Sequence, residues 1–276
     1  MEISLTFTRT QNRGGESVVF LHSIGTSGWI WGDQQQALSD YDCIIPDLPG
    51  FGRNNHIPWV SIKETARVIA TLIEKNANGR QAYLVGFSLG ANVVMEILAN
   101  HSKVVRRAVV SGLNVLPVPN RLLKEAAQFL ISPFMKSKIM MENNAHKLNI
   151  PDQKFEAYSS SVQQLSTKAF RAANREMFLY HLPENAASIQ TPTLAVAGGN
   201  EHDLVLESIK RISSTLPYAT GYIMPFAEQA WVLEKPSVFS DMLKAWFKNY
   251  PLPDHLIPAN NSLTMDGALE GSSVKK

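Results

Sequence analysis

A serine between two glycines is the stretch of this sequence best suited to covalent chemistry. The segment Gly-Phe-Ser-Leu-Gly at 86–90 follows a run of apolar residues and precedes a helical pattern over 92–100. At such a strand-to-helix turn, strained backbone exposes the hydroxyl of Ser88 above the sheet, where it can act as a nucleophile. We expect glycine to be required at positions 86 and 90, because a Cβ atom at either position would collide with the neighbouring strand or helix.

Strands and helices alternate around this serine, which predicts a mostly parallel sheet with helices on both faces. Apolar periodicity predicts strands over 3–9, 17–21, 41–45, 82–85, 104–110, 192–199 and 219–224, and helices over 29–38, 61–77, 92–100, 205–216 and 236–250. In such sheets ligands gather at the carboxyl ends of the strands. The polar loops after residues 21, 87, 199 and 224 each follow a predicted strand, so we expect them to form one rim.

Residues 113–190 carry no strand signal and indicate a helical cap inserted over the sheet. The chain therefore divides into an α/β core over 1–112 and 191–250, this cap, and a flexible tail over 251–276 that lacks periodicity. The cap is rich in Met and Phe, which indicates a small filled core or the lining of an apolar pocket, with core preferred for each residue. These residues are Phe134, Met135, Met140, Met141, Phe155, Phe170, Met177 and Phe178.

The composition excludes several classes of function. At 45% hydrophobic and 18% charged residues, the 276-residue chain is typical of a soluble globular enzyme. Its 26 basic and 24 acidic residues nearly cancel, so neither nucleic acid nor a membrane surface is an expected partner. The only cysteine, Cys43, excludes an internal disulfide and a multi-thiolate metal site, and its apolar neighbours indicate a buried thiol. Without an export signal or a membrane-spanning run, the expected location is the cytoplasm, and the oligomeric state is not indicated.

From about residue 17 to 250 the chain resembles the α/β-hydrolase superfamily. The matching features come in order: His-Ser-Ile-Gly at 22–25, Asp-Leu-Pro-Gly-Phe-Gly at 47–52, the serine turn at 86–90, a helical cap and a late acidic loop. The resemblance implies acyl transfer through a covalent serine ester, with a histidine as base and an acid that orients the histidine. We expect no cofactor and no metal.

The resemblance assigns a role to individual side chains of the predicted rim. Ser88 falls on the nucleophile, and Asp203 falls on the acid because it lies a few residues beyond the end of a predicted strand. The neighbouring Glu201 and His202 could compete for the acid's role, but we expect both to be solvated loop residues.

The resemblance also implies an oxyanion hole made of two backbone N–H groups. Here these would belong to Ile24 and to Leu89, the residue after the nucleophile. Backbone donors do not depend on side-chain identity, so Ser23, where the family usually has glycine, need not harm the hole.

The histidine position of the resemblance falls on a glutamine. Counting back from Glu-Lys-Pro at 234–236 places the expected Gly-His pair on Glu228 and Gln229, and no histidine lies between His202 and His255. An amide exchanges hydrogen bonds but accepts no proton near neutral pH. Because loss of the base of a serine triad costs on the order of a millionfold in turnover, efficient hydrolysis would need a replacement base.

Four other side chains are candidates for that base. Glu228 could serve if it faced inward beside Asp203, where burial would raise its pKa, but we expect it to be exposed. His146 and His181 belong to the predicted cap and are expected to be surface or core residues. His22 opens the oxyanion loop, and the resemblance implies a structural role for it.

The sequence supports two classes of function. One is a hydrolase of a small apolar ester or lactone, bound between core and cap, that works slowly or with an unusual base through Ser88. The other is a catalytically defective relative that acts as a ligand sensor or binds a partner protein. A further possibility is that Gln229 replaces a histidine by design, to trap an intermediate. We favour the first because the fold and the other site elements persist.

Overall fold

A single eight-stranded sheet organises the protein, and its strand order is β1-β3-β2-β4-β5-β6-β7-β8. The computed structural model describes residues 3–10 and 14–261. The strands are β1 (Phe7–Arg9), β2 (Ser17–Leu21), β3 (Asp42–Pro46), β4 (Ala82–Phe87), β5 (Val105–Ser111), β6 (Thr193–Gly198), β7 (Ala219–Met224) and β8 (Ile257–Pro258). The strands from β3 to β7 in this order are mutually parallel, and antiparallel β1 and β8 form the two edges. The predicted fold class is confirmed. The polar loops after β2, β4, β6 and β7 all leave the sheet at the carboxyl ends of its parallel strands.

Helices cover both faces of the sheet and fill the segment between β5 and β6. They are α1 (Gly32–Ala37), α2 (Ile62–Asn76), α3 (Leu89–Asn100), α4 (Arg121–Ile131), α5 (Lys138–Lys147), α6 (Phe155–Gln164), α7 (Thr167–Leu179), α8 (Asp203–Thr215), α9 (Trp231–Glu234) and α10 (Pro236–Lys248). The start of α2 follows from its sequence, since Ser61 Oγ accepts a hydrogen bond of 2.9 Å from the Glu64 N–H and so satisfies a first-turn donor. Each helix within the part of the chain that the structure describes is too short or too polar to cross a lipid bilayer.

Alternate residues of the strands supply the two halves of the core. Along β2, Val19 and Leu21 pack with residues of α2 and α3, whereas Val18 and Phe20 pack on the opposite face. Trp31 lies within that second cluster, together with apolar residues of α10. This alternation follows from the two-residue period of a strand, and burial on both faces explains why β2 is an unbroken apolar run.

The segment 113–190 contains helices α4 to α7 and no strand, as its periodicity predicts. The preference for core positions is wrong for Phe134, which is 64% exposed, whereas Met135 and Met141 are buried. The helix α4 buries none of its residues. Helical spacing identifies an apolar face but not its partner, so a sequence cannot tell a covered face from an open one.

Hydrogen bonds join helix α7 to the core. The Glu176 carboxylate accepts hydrogen bonds from Trp59 Nε1 at 2.9 Å and from the Ile62 N–H at 2.7 Å. At the other end of α7, the Ser166 N–H donates to the Gly50 carbonyl at 2.9 Å. These bonds hold α7 against the rim of the sheet.

The flexible tail predicted from residue 251 is wrong for residues 256–259. Ile257 and Pro258 pair with β7 as the antiparallel strand β8, and Leu256 and Ala259 beside them are 5% and 1% exposed. Two strand residues are too few to produce a periodic signal, which is why the pattern does not predict them. The rest of the predicted tail, 262–276, lies outside the described residues.

We expect Gly90→Ala to destabilise the protein by at least about 3 kcal/mol, because overpacking of this kind must displace backbone. A Cβ atom on Gly90 would overlap the Leu21 carbonyl group and lie 2.9 Å from the His22 carbonyl oxygen. The matched control is Gly32→Ala in α1, where an added Cβ meets nothing within 4 Å and alanine favours the helix. Urea unfolding of both variants checks this, and equal stabilities would contradict it.

Candidate active site

Ser88 occupies the strained turn that its flanking glycines predict. Its φ of +51° and ψ of −111° lie in a region that non-glycine residues rarely adopt. The conformation is held in part by a 2.8 Å hydrogen bond from the Ser88 N–H to the Ser111 carbonyl at the end of β5. Among the described residues no group donates to or accepts from Ser88 Oγ. The hydroxyl at this turn is therefore fixed in place by the backbone and lacks a basic partner.

The Ser23–Ile24 peptide is fixed by hydrogen bonds to its carbonyl. Ser23 O accepts from Thr26 Oγ1 at 2.9 Å and from His22 Nδ1 at 2.8 Å, and the Thr26 N–H also reaches it at 3.4 Å. In a trans peptide the N–H points opposite to the C=O. These bonds therefore set the direction of the Ile24 N–H.

His22 is structural, as the resemblance implies. Its Nε2 accepts a hydrogen bond of 2.9 Å from the Leu48 N–H, so the proton of the neutral ring sits on Nδ1 and is donated to Ser23 O. Complete burial lowers the pKa of His22 below its usual value. With both ring nitrogens engaged, His22 is not available as a base.

The N–H groups of Ile24 and Leu89 donate to no acceptor among the described residues. Leu89 is fully buried and opens α3, so its N–H is one of the first-turn donors that a helix leaves without an intrahelical partner. A buried N–H without a partner is rare, and it marks a place where an acceptor is expected to bind. The Leu89 N–H, directly after Ser88, is suited to a developing oxyanion, and the Ile24 N–H is the second donor that the resemblance implies.

We expect Thr26→Val to slow the reaction of Ser88 with a fluorophosphonate by about tenfold, a fraction of the 10²–10³-fold loss seen when an oxyanion donor is removed outright. The change removes one of the bonds that orient the Ser23–Ile24 peptide but leaves the Ile24 N–H in place. The matched control is Thr215→Val, since Thr215 ends α8 and its hydroxyl bonds only to the Arg211 carbonyl. Equal labelling rates in the two variants would show that the peptide needs no such support.

The acidic loop after β6 differs from its prediction. The Glu201 side chain, expected to be solvated, is buried at 7% exposure, whereas His202 and Asp203 are exposed. Glu201 Oε1 accepts a hydrogen bond of 2.9 Å from the Gly198 N–H, which turns the side chain back toward the sheet. Asp203, the predicted acid, is the first residue of α8, and no described contact joins it to Ser88. Glu201 is therefore the acidic residue of this loop that the fold holds in the interior.

Burial controls the protonation of Glu201. It raises the pKa of the carboxyl to about 8, and the nearby negative charge of Glu228 acts in the same direction. Its second oxygen, Oε2, has no hydrogen-bond partner among the described residues. A carboxyl group in this setting is protonated at neutral pH and releases its proton in mildly alkaline solution.

Glu201 lies close to the residues that hold the serine turn. A Cβ atom placed on Gly112, the residue after β5, would lie 3.3 Å from Glu201 Oε2 and 3.3 Å from the ring of Phe87. Phe87 directly precedes Ser88, and Ser111 directly precedes Gly112. The unpaired oxygen of Glu201 thus faces the strand ends to which Ser88 is bonded.

Gln229 lies in the loop between β7 and α9 and is half-buried. Its side chain makes no hydrogen bond to another described residue. The loop itself is tied to the acidic loop, because the Asn200 N–H donates to the Ala227 carbonyl at 3.0 Å and Asn200 Nδ2 donates to Glu228 Oε1 at 2.9 Å. Glu228, predicted to be exposed, is instead half-buried. Behind this loop, Trp231 Nε1 donates to Ser111 Oγ at 3.2 Å.

The cap histidines and the cysteine supply no base to Ser88 in this structure. His146 and His181 are exposed, and His181 Nδ1 bonds to the Leu182 carbonyl at 2.9 Å. Cys43 is buried as predicted, and burial raises the pKa of its thiol to about 12. Within residues 3–10 and 14–261, no cluster of His, Cys, Asp and Glu could hold a metal ion.

The sequence names Glu201 as a competitor for the acid's role but predicts a solvated side chain, and the prediction of exposure is wrong. The available signal was its position three residues after Gly198, which allows its carboxylate to reach back to the Gly198 N–H and close a tight turn. A Cβ atom on Gly198 would lie 2.5 Å from the Glu228 carbonyl oxygen, so glycine is needed where the two loops touch.

Comparison with known proteins places this arrangement among described families. Residues 18–242 match the model of the alpha/beta hydrolase family. An AB hydrolase superfamily protein of Gibberella zeae is 25% identical, over 90% of this chain and 86% of its own length. A pimeloyl-[acyl-carrier protein] methyl ester esterase of Vibrio atlanticus is 23% identical, over 83% of this chain and 93% of its own. A thermophilic esterase from Thermogutta terrifontis superposes with a TM-score of 0.73 at 19% identity, covering 89% of this chain and 93% of that one.

Proposed function

Because the chain belongs to the α/β hydrolase family, we propose that it hydrolyses a small apolar carboxylic ester or lactone through Ser88. The observation that carries the proposal is the Leu89 N–H, which lacks an acceptor directly after a serine held in strained backbone; the Ile24 N–H is proposed as the second donor. This pair suits acyl transfer because the carbonyl oxygen of an ester becomes negative as the nucleophile adds.

In the proposed reaction Ser88 Oγ attacks the carbonyl carbon of the ester, and the two N–H groups stabilise the oxyanion. The leaving oxygen takes up the proton that Ser88 Oγ released and departs as the alcohol, and water then hydrolyses the acyl-serine. The fixed Ser23–Ile24 peptide supports this step because its donor needs no rearrangement as charge develops. The proposal assigns Gln229 to the histidine position, so acylation proceeds without an imidazole and is slow.

The surroundings favour an apolar substrate. Phe170 of α7 reaches within 3.7 Å of the Cβ position of Gly25, so an aromatic ring covers the oxyanion loop. Ile24 and Met177 belong to the same apolar cluster. The name of the Vibrio atlanticus relative, an esterase acting on a methyl ester, is consistent with a small alcohol as the leaving group.

Labelling with a fluorophosphonate, followed by mass spectrometry of the modified peptide, tests the proposal together with hydrolysis of p-nitrophenyl butyrate. We expect modification at Ser88 and measurable turnover, both abolished in Ser88→Ala. The matched control is Ser214→Ala, an exposed serine of α8 whose hydroxyl bonds only to the Arg211 carbonyl. Turnover that survives in Ser88→Ala, or the absence of label at Ser88, would refute the proposal.

A second candidate is a non-hydrolytic relative that binds a small apolar ligand or a partner protein. The observation that favours it is the lack of any described hydrogen bond to Ser88 Oγ, and the proposed assignment of Gln229 to the histidine position agrees with it. Apolar esters would then raise the melting temperature of the wild type and of Ser88→Ala equally. A strong loss of activity in Ser88→Ala would eliminate this candidate.

A further inference from the structure

Glu201 is a buried acidic side chain in which only one of the two carboxyl oxygens has a hydrogen-bond partner. Its exposure is 7%, Oε1 is bonded to the Gly198 N–H, and Oε2 has no partner among the described residues. A buried polar atom without a hydrogen-bond partner destabilises the folded state. A fold that retains this cost beside a strained serine is expected to use the free oxygen.

The free oxygen faces the strand ends that hold the nucleophile. Oε2 lies 3.3 Å from the position that a Cβ atom on Gly112 would take, closer than an ordinary van der Waals contact, and Gly112 has a φ of +64° that a side chain would strain. The residue before it, Ser111, accepts the Ser88 N–H. Glycine at 112 therefore keeps open the space between the Glu201 carboxyl and the neighbourhood of Ser88.

We propose that Glu201 is the proton acceptor for the reaction of Ser88 and acts through one bridging water molecule. The proposal rests on the proposed function. No direct hydrogen bond joins Glu201 to Ser88 Oγ within the described part of the chain, so the proton has to pass through a relay. A base can act through a single water, which accepts the proton of the hydroxyl on one side and donates its own to the carboxylate on the other.

The proton that leaves Ser88 during acylation is returned to the leaving alcohol, so the step balances. The Glu201 carboxylate takes a proton from the water, the water takes the proton of Ser88 Oγ–H, and Oγ forms its bond to the carbonyl carbon as the π electrons move to oxygen. When the tetrahedral intermediate collapses, the C–O bond to the alcohol breaks. The proton then returns from Glu201 through the water to the leaving oxygen. Hydrolysis of the acyl-serine repeats the sequence with water as the nucleophile.

Two other acidic side chains, Asp203 and Glu228, are less suited to accept the proton of Ser88. Asp203 is exposed at the start of α8, and Glu228 is half-buried and accepts a hydrogen bond from Asn200. The charge of Glu228, on the loop after β7, raises the pKa of Glu201, while Phe87 and Gly112 on the adjoining strands carry no charge. A carboxylate of pKa about 8 is a far stronger base than an ordinary one and matches a reaction run near neutral pH.

The experiment is the pH profile of kcat/KM for p-nitrophenyl butyrate between pH 5 and 10, measured on the full-length protein. We expect an ascending limb centred near pH 8. Glu201→Gln preserves the shape and the bond to the Gly198 N–H but cannot accept a proton, so we expect kcat to fall by at least about 10²-fold and the limb to disappear. Glu228→Gln removes the neighbouring charge and should move the limb to lower pH.

Three variants besides Glu201→Gln and Glu228→Gln distinguish the possible outcomes: Glu207→Gln, Asp203→Asn and Ser88→Ala. Glu207→Gln, an exposed glutamate of α8 paired with Lys210, is the matched control and should leave both rate and limb unchanged. Unchanged activity and an unchanged limb in Glu201→Gln would overturn the role of Glu201, and so would a loss confined to Asp203→Asn. In either case labelling of Ser88 and the inactivity of Ser88→Ala would still support the proposed function. Absence of Ser88-dependent turnover would overturn both proposals together.

Discussion

Gln229→His is expected to raise the turnover of p-nitrophenyl butyrate by about 10² to 10⁴-fold, the usual contribution of a positioned general base. The loop that carries residue 229 is already fixed by bonds between Asn200 and the Ala227 carbonyl and between Asn200 and Glu228. The expectation also requires that the acidic loop, which contacts this one through Asn200, orients the imidazole as in a serine triad. Steady-state kinetics of the wild type and of this variant check the gain.

The same variant separates the two ways of removing the Ser88 proton. If Glu201 works through water in the wild type, the introduced histidine should move the ascending limb of the pH profile from near 8 toward the pKa of an imidazole. Gln229→Asn, which keeps the amide and adds no basicity, is the matched control and should show no gain. No gain in Gln229→His, although Ser88 is labelled by a fluorophosphonate, would mean that residue 229 does not face the nucleophile.

The serine turn was predictable because its constraint is local. Gly86 and Gly90 are required by the tight reversal itself, and their Cβ positions would meet the Gly90 and Leu21 carbonyl groups. A strand before the turn and a helix after it can be read from apolar spacing alone. The sequence therefore predicts both the fold and the location of Ser88.

Local patterns did not predict which acidic side chain of the loop after β6 is buried. Glu201 and Asp203 are two positions apart in a polar loop, and nothing in their composition indicates which one faces inward. The choice is made by the turn after β6, where the Gly198 N–H binds Glu201 Oε1, and by the start of α8 at Asp203. A predicted helix beginning at residue 205 leaves both acids in the loop, whereas the real start at 203 places Asp203 on a helix in solvent.

Tertiary contacts decide the remaining differences. The tail strand β8 exists because it completes the edge of β7, a pairing that no local pattern encodes. In the cap, Phe134 and Met135 are adjacent and equally apolar, yet one is 64% and the other 7% exposed. Such choices depend on neighbours distant in sequence and are outside the reach of periodicity.

The stability of the protein is expected to fall as the pH rises from about 5 to 9, and Glu201→Gln should remove most of that loss. Glu201 has a pKa of about 8 in the folded protein and 4.5 as its reference value. Between these values the folded state holds a proton that the unfolded state lacks, so rising pH favours unfolding. The loss is complete above pH 8 and is on the order of 5 kcal/mol at its largest.

Urea unfolding at pH 5 and pH 9 measures this effect without any assay of activity. We expect the wild type and Glu201→Gln to be about equally stable at pH 5, because a protonated glutamate and a glutamine make the same bond to the Gly198 N–H. At pH 9 the variant should be more stable by several kcal/mol, and Glu207→Gln should behave as the wild type does. Other titrating groups, His22 included, act alike in both proteins and cancel in the comparison. A variant less stable than the wild type at pH 9 would mean that Glu201 is ionised and paired in the folded protein, which would remove the physical reason for its high pKa.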